Sequence, residues 1–300
     1  MGAGSAPLLV IVGPTASGKT ELAVQVAEAS NGEIVSADSV QVYRGFDIGS
    51  GKPSAEQRRR APHHLIDVCD PLDAMDAARW AALAEASISD IVSRGRRPIV
   101  CGGTYLWVRA LIFGLAAAPP GDPTLRAQHR ALVDAEGRAA LHARLAAADP
   151  QAAARLSPND FVRVSRALEV LELSGKPIGQ WQQSHGFREP RYPVRQVGVA
   201  LSRDELDRRI DRRVADMLAA GWLQEVERLI AGGHADARAM SSVGYRQVAA
   251  AVLAGQTSPS PELHQEIYRK TRVFARRQRT WLRDQPVEWL PLDQAKALVM

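Results

Sequence analysis

The chain has 300 residues, 46% of them hydrophobic and 24% charged, with a formal net charge of +5 and a pI near 9.5. That length and apolar content allow one large core or two modest ones. Two cysteines exclude a disulfide scaffold, and no apolar run reaches membrane-spanning length. Nearly all the cations are Arg, which suits bidentate phosphate contacts and makes nucleic acid a candidate partner; a general bias toward Arg and Ala accounts for it equally well.

In chain order, Leu8 to Val12 reads as a buried strand that runs into a glycine loop, which argues against a signal peptide. A helix follows from Lys19 to Ala29, then a strand at Glu33–Ser36, a helix at Ala78–Ser93 and a strand at Pro98–Cys101. Alternating strands and helices predict an α/β fold, a parallel sheet with helices on both faces and a ligand cleft beyond the carboxyl ends of the strands. Ala116 to Gly121 reads as a linker, and Asp122 to about Gln183 as Ala- and Leu-rich helices started by Asp122-Pro123 and Asp149-Pro150. Val194–Leu201 is a returning strand, followed by helices at about Arg203–Ala220, Trp222–Ala231, Ser242–Leu253 and Pro261–Arg283. The expected organisation is a core of 1–115 and 194–300 interrupted by a helical insertion at 116–193. Cys69 and Cys101 lie in apolar segments without metal-ligand spacing, so a reducing, cytoplasmic setting is expected.

Gly13-Pro14-Thr15-Ala16-Ser17-Gly18-Lys19-Thr20 fits the phosphate-loop pattern, with a strand before it and a helix after it. Its backbone N–H groups and the helix N-terminus favour a di- or triphosphate, Lys19 adds a full charge, and Thr20 is the expected Mg²⁺ ligand. An ATP-hydrolysing loop protein usually carries a magnesium-binding acid on a later strand, yet here Pro98–Cys101 ends in Gly102-Gly103-Thr104. Thr104 is either a hydroxyl donor to a phosphate oxygen or a helix N-cap. Asp38 enters the same cleft, either to ligate magnesium or take a proton, or to cap a turn. His63-His64 has no third ligand at metal spacing and reads as structural or surface histidines. In the last helix, Arg269, Arg272, Arg276, Arg279 and Arg283 fall within an arc of roughly 80°. Ile267, Phe274 and Trp281 fall opposite and form the expected packing face. The stripe suits a phosphate backbone, against the plain alternative of a solvated helix face.

Taken in order, these stretches resemble the tRNA dimethylallyltransferases, a family with a phosphate-loop core and a helical insertion. The resemblance covers nearly the whole chain: GPTASGKT at 13–20, ADSVQVYRGFDIGSGKP at 37–53, PHHLIDVCDP at 62–71, CGGTYLWVRAL at 101–111, PNDFVRVSRALEV at 158–170, SVGYRQ at 242–247 and RRQRTWLR at 276–283. Phe46 and Ser50 stand where the family pattern has Met and Thr, both conservative departures.

The resemblance implies that N6 of tRNA adenosine 37 attacks C1 of dimethylallyl diphosphate and expels diphosphate, so that the loop grips a leaving group. It implies Asp38 as general base, Ser39, Val40 and Gln41 as contacts to the flipped-out nucleotide, Thr104 at the reaction centre and Arg213 near the diphosphate. Arg126, Val162, Arg163, Val164, Ser165, Arg166, Ser241, Ser242, Val243, Gly244, Tyr245 and Arg246 match tRNA-contacting segments, with Arg276 and Arg279 toward the anticodon stem. The implied partners are the tRNA anticodon stem-loop and a prenyl diphosphate with Mg²⁺, with no membrane and the chain as a monomer. Three rivals are a small-molecule kinase, an enzyme that prenylates free adenine nucleotides, and a non-catalytic RNA-binding module. The kinase lacks its magnesium-binding acid; the Arg stripe and the insertion argue against the second; the third leaves Asp38 and the phosphate loop without a task.

Overall fold

The structure, a computed structural model, describes residues 7–291 and residue 294. Its strands are β1 (Leu8–Val12), β2 (Gly32–Ser36), β3 (His63–His64), β4 (Arg97–Gly102), β5 (Val194–Val199) and β6 (Val287–Leu290). Its helices are α1 (Lys19–Ala29), α2 (Ala55–Arg60), α3 (Ala77–Ser93), α4 (Tyr105–Phe113), α5 (Pro123–Glu136), α6 (Arg138–Ala148) and α7 (Pro150–Arg155). They continue with α8 (Phe161–Ser174), α9 (Ile178–His185), α10 (Arg203–Ala219), α11 (Trp222–Ala231), α12 (Tyr245–Leu253) and α13 (Pro261–Arg283). No helix among the described residues is long and apolar enough to cross a membrane.

The six strands form one parallel sheet in the order β3-β2-β4-β1-β5-β6. β1, apolar at every position, lies in its interior, paired with both β4 and β5 and wholly buried, as a strand covered on both faces must be. This order decides where the site lies. β4 sits between β1 and β2, so the turn after β4 emerges between the phosphate loop after β1 and the Asp38 loop after β2.

The chain forms two compact units. One takes the residues up to Ile112 and from Pro190 onward; the other is Phe113–Glu189. Residues 190–193, expected in the insertion, lie with the sheet unit because Leu8 N–H donates to Pro193 O at 2.8 Å and Arg191 N–H to Ile112 O at 2.7 Å. In the sheet unit, Leu9, Ile11, Leu22, Val24, Ile34, Ile99 and Val197 share one core cluster. Trp80 and Trp107, from α3 and α4, stack with centroids 5.3 Å apart, and Trp80 Nε1–H donates to Ser36 O at 3.0 Å, fixing the end of β2.

In the helical unit, Leu141, Leu145, Ala152, Ala153, Val164, Ala167 and Leu168 form a separate core. Its Asp-Pro starts work through side-chain capping. Asp122 accepts from Thr124 N–H at 2.7 Å and Leu125 N–H at 3.0 Å, and Asp149 accepts from Ala152 N–H at 2.9 Å, with proline next in the chain where no donor is needed.

Candidate active site

The phosphate loop turns from β1 into α1. Gly18 holds φ +89° as it opens the helix with no side-chain cap, so the first-turn N–H groups keep no capping acceptor. Ala16 is left-handed at φ +63°, a strained conformation for alanine that curls the loop backbone. Thr15, Ala16, Gly18, Lys19 and Thr20 line a cavity of about 620 Å³ together with Asp38–Gln41, Gly49–Lys52, Cys101–Thr104, Arg213 and Ser241–Val243.

The two loops beside it are laced together. A Cβ on Gly102 would overlap the Ala37 carbonyl, so only glycine allows this approach. Thr104 N–H donates to Ala37 O at 3.1 Å. The Thr104 hydroxyl accepts from Ser39 N–H at 3.0 Å and donates to Ser39 Oγ at 3.2 Å, so it pins the Asp38 loop and does not cap α4. Asp38 Oδ1 accepts from Val40 N–H at 2.9 Å and Gln41 N–H at 3.2 Å, which fixes the carboxylate while its second oxygen makes no hydrogen bond among the described residues. Gln41 in turn accepts from Ser36 Oγ at 3.1 Å and donates to Gly51 O at 3.1 Å.

Two cations face this carboxylate. Burial lowers the pKa of Lys19, with Cys101 and Asp38 acting the other way; among the described residues Lys19 Nζ donates only to Pro14 O, at 3.3 Å. Burial likewise lowers the pKa of Arg213, while Asp38 raises it, and the guanidinium lies so close to Gly51 that a Cβ there would overlap it. Neither cation sits in an ion pair among the described residues. Desolvated, unpaired positive charge favours an anionic ligand. Burial pushes the Cys101 thiol up to about 12, so it is neutral here and is no nucleophile.

No group of three His, Cys, Asp or Glu among the described residues forms a metal cage. The Thr20 hydroxyl and the Asp38 carboxylate line the same cavity, a donor set that fits an Mg²⁺ ion held mainly by substrate phosphates and water. His63 and His64 are structural: His64 Nε2 meets Glu33 Oε2 at 2.6 Å, and His63 Nδ1 lies 2.8 Å from Ala61 O.

Several site features were not legible in the sequence. Glu225 on α11 is 3% exposed and accepts from the N–H groups of Asp47 (3.1 Å), Ile48 (2.6 Å) and Gly49 (3.4 Å) and from the Tyr245 hydroxyl (2.6 Å). Its only sequence signal is an acid at a core position, between buried Trp222, Val226 and Leu229. Lys52, its side chain 3% exposed, donates to Tyr43 O at 2.8 Å and pairs with Asp47 and Asp67. Gln278 on α13 reaches both Thr15 and Gly103.

The residues that match tRNA-contacting segments divide. Val162 and Arg163 are exposed, whereas Val164 and Ser165 are buried in the helical unit, Ser165 against His129 Nδ1 at 2.9 Å. They present no contact surface, because α8 turns this face to its own core. Arg126 and Arg166 are held by fully buried Glu169, at 3.0 and 2.6 Å. Ser241, Ser242 and Val243 line the cavity and Arg246 is exposed, but Tyr245 is buried and Gly244 packs directly on Trp222.

On α13, Arg269, Arg272, Arg276, Arg279 and Arg283 line a groove of about 900 Å³ with Arg203. Asp207 of α10 enters it and pairs with Arg272 at 2.6 Å. The packing face differs from expectation: Leu263, Ile267, Ala275 and Leu282 are buried, whereas Phe274 and Trp281 are 41% and 43% exposed. The small Ala275, not Phe274, meets the neighbouring elements, so the buried arc adjoins the arginines, and Phe274 lines the cavity.

A family model described as IPP transferase matches residues 41–285, and one described as isopentenyl transferase matches residues 6–66. A curated tRNA dimethylallyltransferase of Sorangium cellulosum is 62% identical over 95% of this chain and 90% of its own length. One of Geobacter sulfurreducens is 49% identical over 96% and 93%. A tRNA isopentenylpyrophosphate transferase structure from Bacillus halodurans superposes with a TM-score of 0.70 at 36% identity, covering 98% of this chain and 94% of that one. A eukaryotic dimethylallyltransferase described as acting on tRNA gives 0.71 at 26%, covering 93% and 70%. With a family model spanning most of the sequence and relatives of this identity matched almost end to end, the chain belongs to the IPP transferase family.

Proposed function

We propose that this protein transfers the dimethylallyl group of dimethylallyl diphosphate to N6 of adenosine 37, next to the tRNA anticodon, and releases diphosphate. The observation that carries this reading is the pairing, in one cavity, of a backbone-fixed Asp38 with two unpaired cations at a phosphate loop. Asp38 Oδ2 takes the N6 proton as the C–N bond forms; a weakly nucleophilic amine gains from that removal. As the C1–O bond breaks, negative charge gathers on the leaving diphosphate. Lys19, Arg213 and the loop N–H groups of Ala16, Gly18, Lys19 and Thr20 neutralise it. Mg²⁺, held by Thr20, adds to that neutralisation when bound. Thr104 keeps Ser39 and hence Asp38 in place at the reaction centre.

The names of the relatives support tRNA as the acceptor. The adenosine must be extruded from its loop to enter the cavity, where Ser39, Val40 and Gln41 meet it. In the sheet unit, Ser241 to Val243, Arg246, and Arg276 with Arg279 meet tRNA; in the helical insertion of 116–193, Val162 and Arg163 serve the anticodon loop. The enzyme is read as a cytoplasmic monomer. A kinase would need the acid that Gly102-Gly103-Thr104 does not supply. Asp38→Ala is expected to lose most turnover while binding tRNA unchanged; full turnover by the variant would remove Asp38 as the base.

A further inference from the structure

The phosphate loop does not stand alone. Thr15 N–H donates to Gln278 Oε1 at 2.9 Å, and Gln278 Nε2 donates to Gly103 O at 3.1 Å. One side-chain amide from α13 therefore bridges the loop after β1 and the turn after β4. The amide can do both, since it carries an acceptor oxygen and a pair of donors; a carboxylate lacks the donor and an aliphatic chain lacks both. The fit is close. A Cβ on Gly103 would come within 2.7 Å of Gln278 Nε2, with Gly13 O and Lys19 Cε at 3.6 and 3.8 Å.

Neighbours in sequence give this amide its significance. Arg276 and Arg279 line the arginine groove, whereas Gln278, on the same helical turn, lines the cavity. At about 100° per residue Gln278 points roughly 160° from Arg276 and 100° from Arg279. One turn of α13 thus carries the cationic surface on one side and the loop clamp on the other.

We propose that Gln278 is a positioning residue for prenyl transfer: its amide sets the spacing of the phosphate loop and the Gly103-Thr104 turn, aligning the bound diphosphate with Asp38. It touches no reacting atom. Its effect follows from geometry, because displacement of a reacting group by about 1 Å costs on the order of 100-fold in rate. The inference rests on the prenyl-transfer reading, and its test separates the two.

The experiment uses the full chain and inorganic diphosphate with Mg²⁺ as the probe, titrated calorimetrically, alongside steady-state prenyl transfer and tRNA binding. Gln278→Leu is expected to weaken diphosphate binding about tenfold and lower kcat at least tenfold, with tRNA affinity and the unfolding midpoint nearly unchanged. Gln278→Glu keeps the acceptor for Thr15, loses the donor for Gly103 and adds negative charge, so it binds diphosphate more weakly still. Gly103→Ala displaces the amide and reproduces the Gln278→Leu loss, and the double variant is no worse than either single one. Diphosphate affinity and kcat within twofold of the wild type in Gln278→Leu overturn the proposal. So does tighter diphosphate binding, which marks the amide as a mere competitor for Thr15 N–H, and so do losses that multiply in the double variant. A wild-type protein that binds diphosphate yet prenylates no tRNA sinks the functional reading, while the comparison of diphosphate affinities still judges Gln278.

Discussion

Glu225 offers a magnitude that the structure itself supplies. Its carboxylate makes three short bonds, to Ile48 N–H and the Tyr245 hydroxyl at 2.6 Å and to Asp47 N–H at 3.1 Å, and a longer one to Gly49 at 3.4 Å. Hydrogen bonds to a charged group contribute about 1.5 kcal/mol or more each, and the donors left behind are buried. Glu225→Ala should therefore cost about 4 kcal/mol, after the carboxylate's own desolvation penalty has offset part of the gross loss. For a chain of this size that is a fall of about 10 °C in Tm. Glu225→Gln keeps an acceptor for Asp47 and Ile48 and turns its NH₂ toward Tyr245, whose hydroxyl can rotate to accept; about 1 to 2 kcal/mol is expected. Urea denaturation followed by tryptophan fluorescence reads both. Because residues 49–52 line the cavity, turnover should fall with the alanine variant even at temperatures where it stays folded. An alanine variant within 1 kcal/mol of the wild type would show that the carboxylate does not organise this loop.

Two further outcomes follow from charges the structure places. Hydrogen bonding to Arg94 and His64 holds the Glu33 carboxyl down at about 2 despite its burial, so its stabilisation is complete above the ordinary carboxylate value of 4.5 and fades as pH falls toward 2. The drop approaches about 3 kcal/mol, and Glu33→Gln should remove it from the acid limb of a urea-midpoint profile; an unaltered limb would assign it elsewhere. Arg276→Ala with Arg279→Ala should weaken tRNA binding and reduce the slope of log affinity against log salt by roughly one to two; an unchanged slope would place the phosphate contacts away from the groove.

What the sequence disclosed depended on whether a signal was local. β1, α1 and α13 declared themselves because an apolar run, a glycine loop and a Pro-started amphipathic stretch are each continuous in the sequence. α2 went unread because none of its residues is buried, leaving no apolar period to see, and β3 and β6 are short edge strands of two and four residues. The parallel sheet was legible from alternation alone, and Asp38 from its place after β2. Glu225 and Gln278 were not: Gln278 meets Thr15 across 263 positions, and no spacing rule spans that distance. Arg126 and Arg166 came to notice only through their match to tRNA-contacting segments; that fully buried Glu169 holds both, Arg126 from 43 positions away, carries no local signal.

The central claim is a leaving-group role for the phosphate loop. A single-turnover reaction of the protein with Mg²⁺, dimethylallyl diphosphate and unmodified tRNA bearing adjacent adenosines in its anticodon loop tests it directly. That role predicts one diphosphate released for each N6-dimethylallyl adenosine formed, no reaction with AMP as acceptor, and arrest when Mg²⁺ is chelated. Phosphate release from ATP with no prenylated tRNA would contradict it.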